Sequence, residues 1–124
     1  MSKYSILMAD DELALRFLLT ETLADEGYDI TEAEDGKEAL DFIKSNKYDL
    51  IILDYMMPEL TGVEVCEWLR NNSNPNQQSP VILLTAKALE KDRERARAAG
   101  VSTYIVKPFS PLQLVDTVQQ LIES

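Results

Sequence analysis

Five short apolar runs recur along this chain of 124 residues, each followed by a stretch with helical spacing. That alternation limits the chain to very few architectures. The runs fall at residues 5–9, 29–33, 50–53, 81–84 and 104–106. Three are continuous rather than alternating, as strands buried on both faces of a parallel sheet are. The run Asp29-Ile30-Thr31-Glu32-Ala33 alternates, which suits a strand nearer an edge.

Helices are expected between the runs. The first spans 12–26 and carries Leu15, Leu18, Leu19 and Leu23 at helical spacing before Gly27. The second, 37–45, follows a Glu34-Asp35-Gly36 turn, and the third covers 62–72. The fourth, 87–99, stops at Gly100, and the fifth, 110–122, opens on a Ser110 cap with Pro111 at its first helical position. Strand–helix alternation repeated five times implies a doubly wound α/β fold with helices on both faces of a parallel sheet. The length suits one domain, residues 1–124, with enough chain for a core that needs no staples. The polar stretch 71–79 reads as a loop joining the third helix to the fourth strand.

Composition removes whole classes of function. Twenty-two acidic against twelve basic residues give a net charge of −10, which argues against nucleic acid as a direct partner. The absence of histidine excludes His-based acid–base catalysis, Ser–His and Cys–His nucleophiles and most zinc sites. Cys66 is the only cysteine and has no internal disulfide partner. No run approaches the ~18 apolar residues of a membrane span, and Met1-Ser2-Lys3-Tyr4 lacks a signal-peptide core. No membrane insertion is expected, and the cytoplasm is the simplest address.

In open α/β sheets, ligands bind beyond the carboxyl ends of the strands, where strand order reverses. Those ends carry Asp10-Asp11-Glu12, Asp54, Thr85 and Lys107-Pro108, with Glu34 and Asp35 after the second strand. At ~5 Å and an effective dielectric of ~20, each carboxylate pair repels by about 3 kcal/mol. A cluster of Asp10, Asp11 and Asp54 therefore calls for a counter-charge, which Lys107 or a divalent cation can supply. Oxygen-only donors favour a hard ion, magnesium above transition metals. Asp54 is the candidate nucleophile, since an ionised carboxylate attacks phosphorus without a general base. Such transfer rests on positioning and charge neutralisation. The competing reading makes these acids helix caps or turn formers.

Asp10-Asp11-Glu12, Asp54-Tyr55-Met56-Met57-Pro58 with Gly62, Thr85-Ala86-Lys87 and Lys107-Pro108-Phe109, in this order, resemble the receiver domain of bacterial response regulators, the CheY-like superfamily. The resemblance runs from about Tyr4 to Ile122. It implies the flavodoxin-like strand order 2-1-3-4-5 flanked by five helices. It further implies that Asp54 accepts a phosphoryl group from a sensor histidine kinase or a histidine phosphotransfer protein. Asp11 would bind magnesium directly, Asp10 mainly through water, with Asp54 and the backbone carbonyl of Met56 completing the protein's share. Lys107 would pair with the phosphoryl oxygens. Thr85 and Tyr104 would switch inward, the Lys107–Pro108 bond would be cis, and Gly62 and Pro58 would shape the loop after Asp54. Met56 and Lys87, two residues after Asp54 and Thr85, would tune the lifetime of the acyl phosphate, and an apolar Met56 favours a long one. The output would be a change in the surface of the fourth helix, fifth strand and fifth helix toward a downstream protein target. The chain would be a phosphoacceptor that catalyses only its own phosphorylation and dephosphorylation.

Other features bear on this reading. Glu12 either nears the metal's outer shell or begins the first helix, and the helix start is preferred. In the fourth helix Glu90–Arg93, Asp92–Arg95 and Glu94–Arg97 stand at i,i+3 spacing on a lightly anchored, charged face. Val101-Ser102-Thr103 before Tyr104, and a last helix without basic residues, argue against the symmetric dimer common among DNA-binding regulators. A monomer or weak dimer is expected. A stand-alone receiver is the first reading, and a receiver cut from a longer regulator with an output domain is the second. A magnesium-dependent aspartyl phosphatase is a further alternative, but it would carry a second Asp where Met56 stands. A nucleotide binder on this architecture is disfavoured because Asp10-Asp11-Glu12 would repel phosphate.

Overall fold

The computed structural model describes residues 4–86 and 90–123. Its elements run in strict alternation: β1 Ser5–Ala9, α1 Leu13–Asp25, β2 Asp29–Ala33, α2 Gly36–Ser45, β3 Leu50–Asp54, α3 Gly62–Asn71, β4 Val81–Thr85, α4 Glu90–Ala99, β5 Thr103–Val106 and α5 Pro111–Glu123. All strand pairs are parallel, in the order β2-β1-β3-β4-β5. The continuous apolar runs form the interior strands β1, β3 and β4, while alternating β2 lies at one edge. Both β3 and β4 run one residue further than the apolar pattern, so Asp54 and Thr85 are their last residues.

Side chains of a strand point alternately to opposite faces, which divides the core in two. Leu7, Ile51, Leu53 and Leu83 meet Ala39 and Ile43 of α2, Val65 and Leu69 of α3, and Ala96 and Ala99 of α4. Ile6, Met8, Ile52 and Leu84 meet Leu19 and Leu23 of α1, and Leu114 and Val118 of α5. In α1 the buried face differs from the expected one. Leu18 is 49% exposed, and Arg16 takes the inward position with Leu19 and Leu23. Residues 16, 19 and 23 share a helical face, whereas 18 lies off it.

Polar side chains cap the N-termini of α2, α3 and α5. Asp35 caps α2 by accepting the Glu38 N–H at 2.8 Å, and Thr61 with Glu64 forms a capping box on α3. Ser110 accepts the Gln113 N–H at 3.2 Å ahead of Pro111. Gly27 and Gly100 follow α1 and α4 with φ of 93° and 94°, where a Cβ would be strained. Residues 87–89, where the fourth helix was expected to begin, lie outside the described residues, Lys87 among them.

The expected loop begins one residue later, since Asn71 is still the last residue of α3, and 72–79 is an ordered loop. Asn76 is fully buried. Its Oδ1 accepts the Tyr48 N–H at 2.6 Å, and its Nδ2 donates to the carbonyls of Ile43 and Asn46 at 2.8 and 2.6 Å. Arg70 donates to the carbonyls of Gly100 and Gln77, tying the end of α3 to the end of α4.

Candidate functional site

Strand order reverses between β1 and β3, and the acidic residues gather at that point. The β1–β3 pairing ends at Ala9 and Leu53, so Asp10 and Asp54 follow as neighbours. On the other side of β3, Asp54 pairs with Leu84 and Thr85 pairs with Val106, which places Lys107 one step further along. The register of a parallel sheet thus delivers Asp10, Asp54, Thr85 and Lys107, distant in sequence, to one edge.

Asp54 is 5% exposed and is held from two sides. Lys107 Nζ lies 2.6 Å from its Oδ2, and the Met56 N–H donates to Oδ1 at 3.2 Å. Oxygens of Asp10, Asp11 and Asp54 all fall within 4.8 Å of one another, with Asp10 and Asp54 buried and Asp11 exposed. Asp10 Oδ1 accepts the Glu12 N–H at 2.8 Å, so the turn-forming and site-forming readings of Asp10 both hold. Its Oδ2 is buried without a hydrogen-bond partner among the described residues. Burial, with the Asp54 charge nearby, pushes the Asp10 carboxyl up to about 7 against the opposing pull of the Glu12 N–H. Burial alone would depress the Lys107 ammonium, but the hydrogen bond and charge of Asp54 outweigh it and hold Lys107 above its ordinary range. A buried carboxylate oxygen without a partner, beside two more carboxylates, fits a hard cation, and these three residues could hold a metal ion.

The chain after Asp54 closes tightly over the site. Gly62 donates its N–H to the Tyr55 carbonyl at 2.9 Å, and a Cβ on it would overlap the Asp54 carbonyl oxygen. Pro58 accepts the Leu60 N–H at 2.8 Å around Glu59, whose φ is 71°. Met56 is 63% exposed beside the site, and the Lys107–Pro108 peptide is cis. Glu12 stands at the N-terminal boundary of α1 without a side-chain cap.

Thr85 is buried, and its carbonyl accepts the Lys107 N–H at 2.7 Å. Tyr104 is half-buried on β5 and shares a small cavity with Thr85, Tyr55, Asp92 and Ala96. Arg93 stacks over the Tyr104 ring, its Cζ 5.3 Å from the centroid, and also lines that cavity. The i,i+3 pairs expected along α4 are different in the structure. Among the described residues neither Asp92–Arg95 nor Glu94–Arg97 closes to an ion pair, and Arg93 serves the aromatic ring instead. Sequence reasoning passed over Arg16, which is buried and donates to the Asp10 carbonyl at 2.7 Å. Its spacing with Leu19 and Leu23 was the available signal.

Known proteins share this sequence pattern and this fold. The family described as the response regulator receiver domain matches residues 6–119. The transcriptional regulatory protein ResD of Bacillus subtilis is 45% identical over 117 residues, covering 94% of this chain and 47% of that protein. The chain therefore spans about half the length of the curated relatives it matches. The receiver domain of the Francisella response regulator 1452 superposes with a TM-score of 0.90 at 35% identity, covering 98% of each chain. The receiver domain of the Pseudomonas aeruginosa sensor histidine kinase PA1611 has a TM-score of 0.88 at 32% identity, covering 99% of this chain and 100% of that one. That domain was solved with a magnesium ion coordinated in its active-site cleft.

Proposed function

The chain belongs to the response regulator receiver domain family, and from that premise we propose that Asp54 is its phosphoacceptor and magnesium its metal. The observation that carries this reading is the Asp54 carboxylate, paired to Lys107 at 2.6 Å and flanked by the unpartnered Asp10 Oδ2. The donor is a phosphohistidine of a sensor kinase or phosphotransfer protein. A carboxylate oxygen of Asp54 forms the new O–P bond as the P–N bond breaks. The electron pair leaves with the imidazole, which takes a proton from solvent. Asp54 needs no base, and Lys107 stays charged throughout because Asp54 already favours its ammonium form.

Asp10, Asp11, Asp54 and the Met56 carbonyl would hold the magnesium, which when bound neutralises charge on the transferring phosphoryl oxygens. Lys107 then moves its pairing from carboxylate to phosphoryl. The product carries roughly two negative charges and three strong acceptors in place of one carboxylate charge. Thr85, at the end of the adjacent strand, donates to those acceptors, and Tyr104 moves into the cavity they share. That cavity holds about 10 Å³, room for one water, so an inward ring requires Thr85 and α4 to shift together. The shift biases the α4–β5–α5 surface between two packings and thereby partner binding. Residues 1–124 act as one receiver unit, in the cytoplasm with its kinase. A second reading, a receiver joined to an output domain, is favoured by relatives about twice as long that are named as transcriptional regulators.

Intact-mass spectrometry after incubation with acetyl phosphate and magnesium tests the chemistry. One phosphoryl adduct is expected, lost in Asp54→Asn and in EDTA. An adduct that persists in Asp54→Asn contradicts the assignment.

A further inference from the structure

We propose that Arg16 is a positioning residue for magnesium binding, an inference that rests on the reading of Asp10, Asp11 and Asp54 as the magnesium site. Arg16 is only 7% exposed, although α1 has a wide solvent face on which an arginine could lie. Burying a guanidinium is costly unless its donors are met, and here they are met in two directions. Nη1 donates to the Asp10 carbonyl at 2.7 Å, and Nε pairs with Glu32 Oε1 at 3.0 Å. Glu32 stands on β2, in register with Met8 of β1. Arg16 therefore brackets the acidic turn between α1 and the neighbouring strand.

The accepted atom explains the role. The Asp10 carbonyl belongs to the peptide plane that joins Asp10 to Asp11, and a planar peptide transmits its orientation to the next Cα. The Asp10 N–H is held by the Ala33 carbonyl at 3.2 Å, and Oδ1 by the Glu12 N–H at 2.8 Å. Neither contact fixes the plane that aims Asp11. The guanidinium does, and its rigid fork reaches a carbonyl and a carboxylate at once, which an ammonium does not match. Among the described residues Arg16 forms its ion pair with Glu32 and none with Asp10, Asp11 or Asp54, so those carboxylates remain available to the cation.

The test titrates magnesium alone into wild type, Arg16→Lys, Arg16→Met and Glu32→Gln, followed by backbone amide NMR shifts of residues 10–12. Thermal unfolding is recorded alongside, together with the magnesium dependence of phosphorylation by acetyl phosphate. Both Arg16 variants are expected to bind magnesium about tenfold more weakly, in line with other partners that orient metal ligands. Their rate at saturating magnesium should stay at the wild-type level, and Glu32→Gln should fall between. A folded Arg16→Lys with wild-type magnesium affinity overturns the proposal, even if its unfolding temperature drops. Should Arg16→Met fail to fold, Arg16→Lys and Glu32→Gln decide by the same criterion. Wild type that binds no magnesium would overturn the underlying site reading and this inference with it, a result distinct from failure of the variants alone.

Discussion

The two edges of the sheet are both polar, yet they are built to opposite rules. At the amino-terminal edge, Asn76 makes three hydrogen bonds to backbone groups, two of them buried, and Ser79 donates to the Tyr48 carbonyl while accepting from Lys47. Ser102 caps the first N–H of β4 at 3.0 Å. At the carboxyl-terminal edge, three carboxylates crowd within 4.8 Å. Three buried side-chain oxygens lack partners among the described residues, those of Asp10, Thr20 and Asp92. Thr20 lies mid-way along α1, Asp10 sits in the acidic cluster, and Asp92 lines the cavity between Thr85 and Tyr104. None is at the amino-terminal edge. One end spends its polar groups on locking loops together. The other keeps acceptor atoms unmatched, as a site that awaits charge must, and gives up stability for it.

The amino-terminal edge depends most on Asn76. Asn76→Ala leaves the Tyr48 N–H and two carbonyls without partners, and each orphaned buried group costs roughly 1–3 kcal/mol. A loss of about 3 kcal/mol or more is expected in urea unfolding, with magnesium affinity and phosphorylation of the folded protein unchanged. Parallel losses of stability and magnesium affinity would show that the two edges are not independent. A smaller effect belongs to Arg93. A cation–π contact at a partly exposed site contributes about 0.5–1 kcal/mol. Arg93→Ala should therefore change stability little but raise the fraction of inward Tyr104 before phosphorylation, read from the Tyr104 ring resonances. An unchanged ring population would remove Arg93 from the switch.

The fold was readable from the chain because a parallel sheet buries its central strands on both faces, and 50–53 and 81–84 show this as unbroken apolar runs. The acids and Lys107 were readable because they directly follow apolar runs, 5–9, 50–53 and 104–106. Arg16 and Asn76 escaped for the same reason. Charge in a helix reads as a solvent face, and a polar run such as 71–79 reads as a loose connection. Their burial depends on partners outside their own element, Glu32 and Asp10 for the one, Ile43, Asn46 and Tyr48 for the other. Leu18 shows the converse, an apolar residue left outside by the phase of α1.

The central claim is that the carboxyl-terminal edge carries an electrostatic cost that a cation relieves. Asp10 tests it, since its carboxyl is pushed from 3.8 up to about 7 by burial and the Asp54 charge. The native state then holds the Asp10 proton more tightly than the unfolded chain. Its penalty is absent below about pH 4, grows through the interval up to about 7 and is complete above it. The most direct measurement is the unfolding free energy of Asp10→Asn relative to wild type, from pH 4 to pH 8, with and without magnesium. Without magnesium the advantage of the variant should rise with pH and level off above about 7, and magnesium should reverse it by stabilising wild type more than the variant. A difference that stays flat across that range and ignores magnesium would contradict the account.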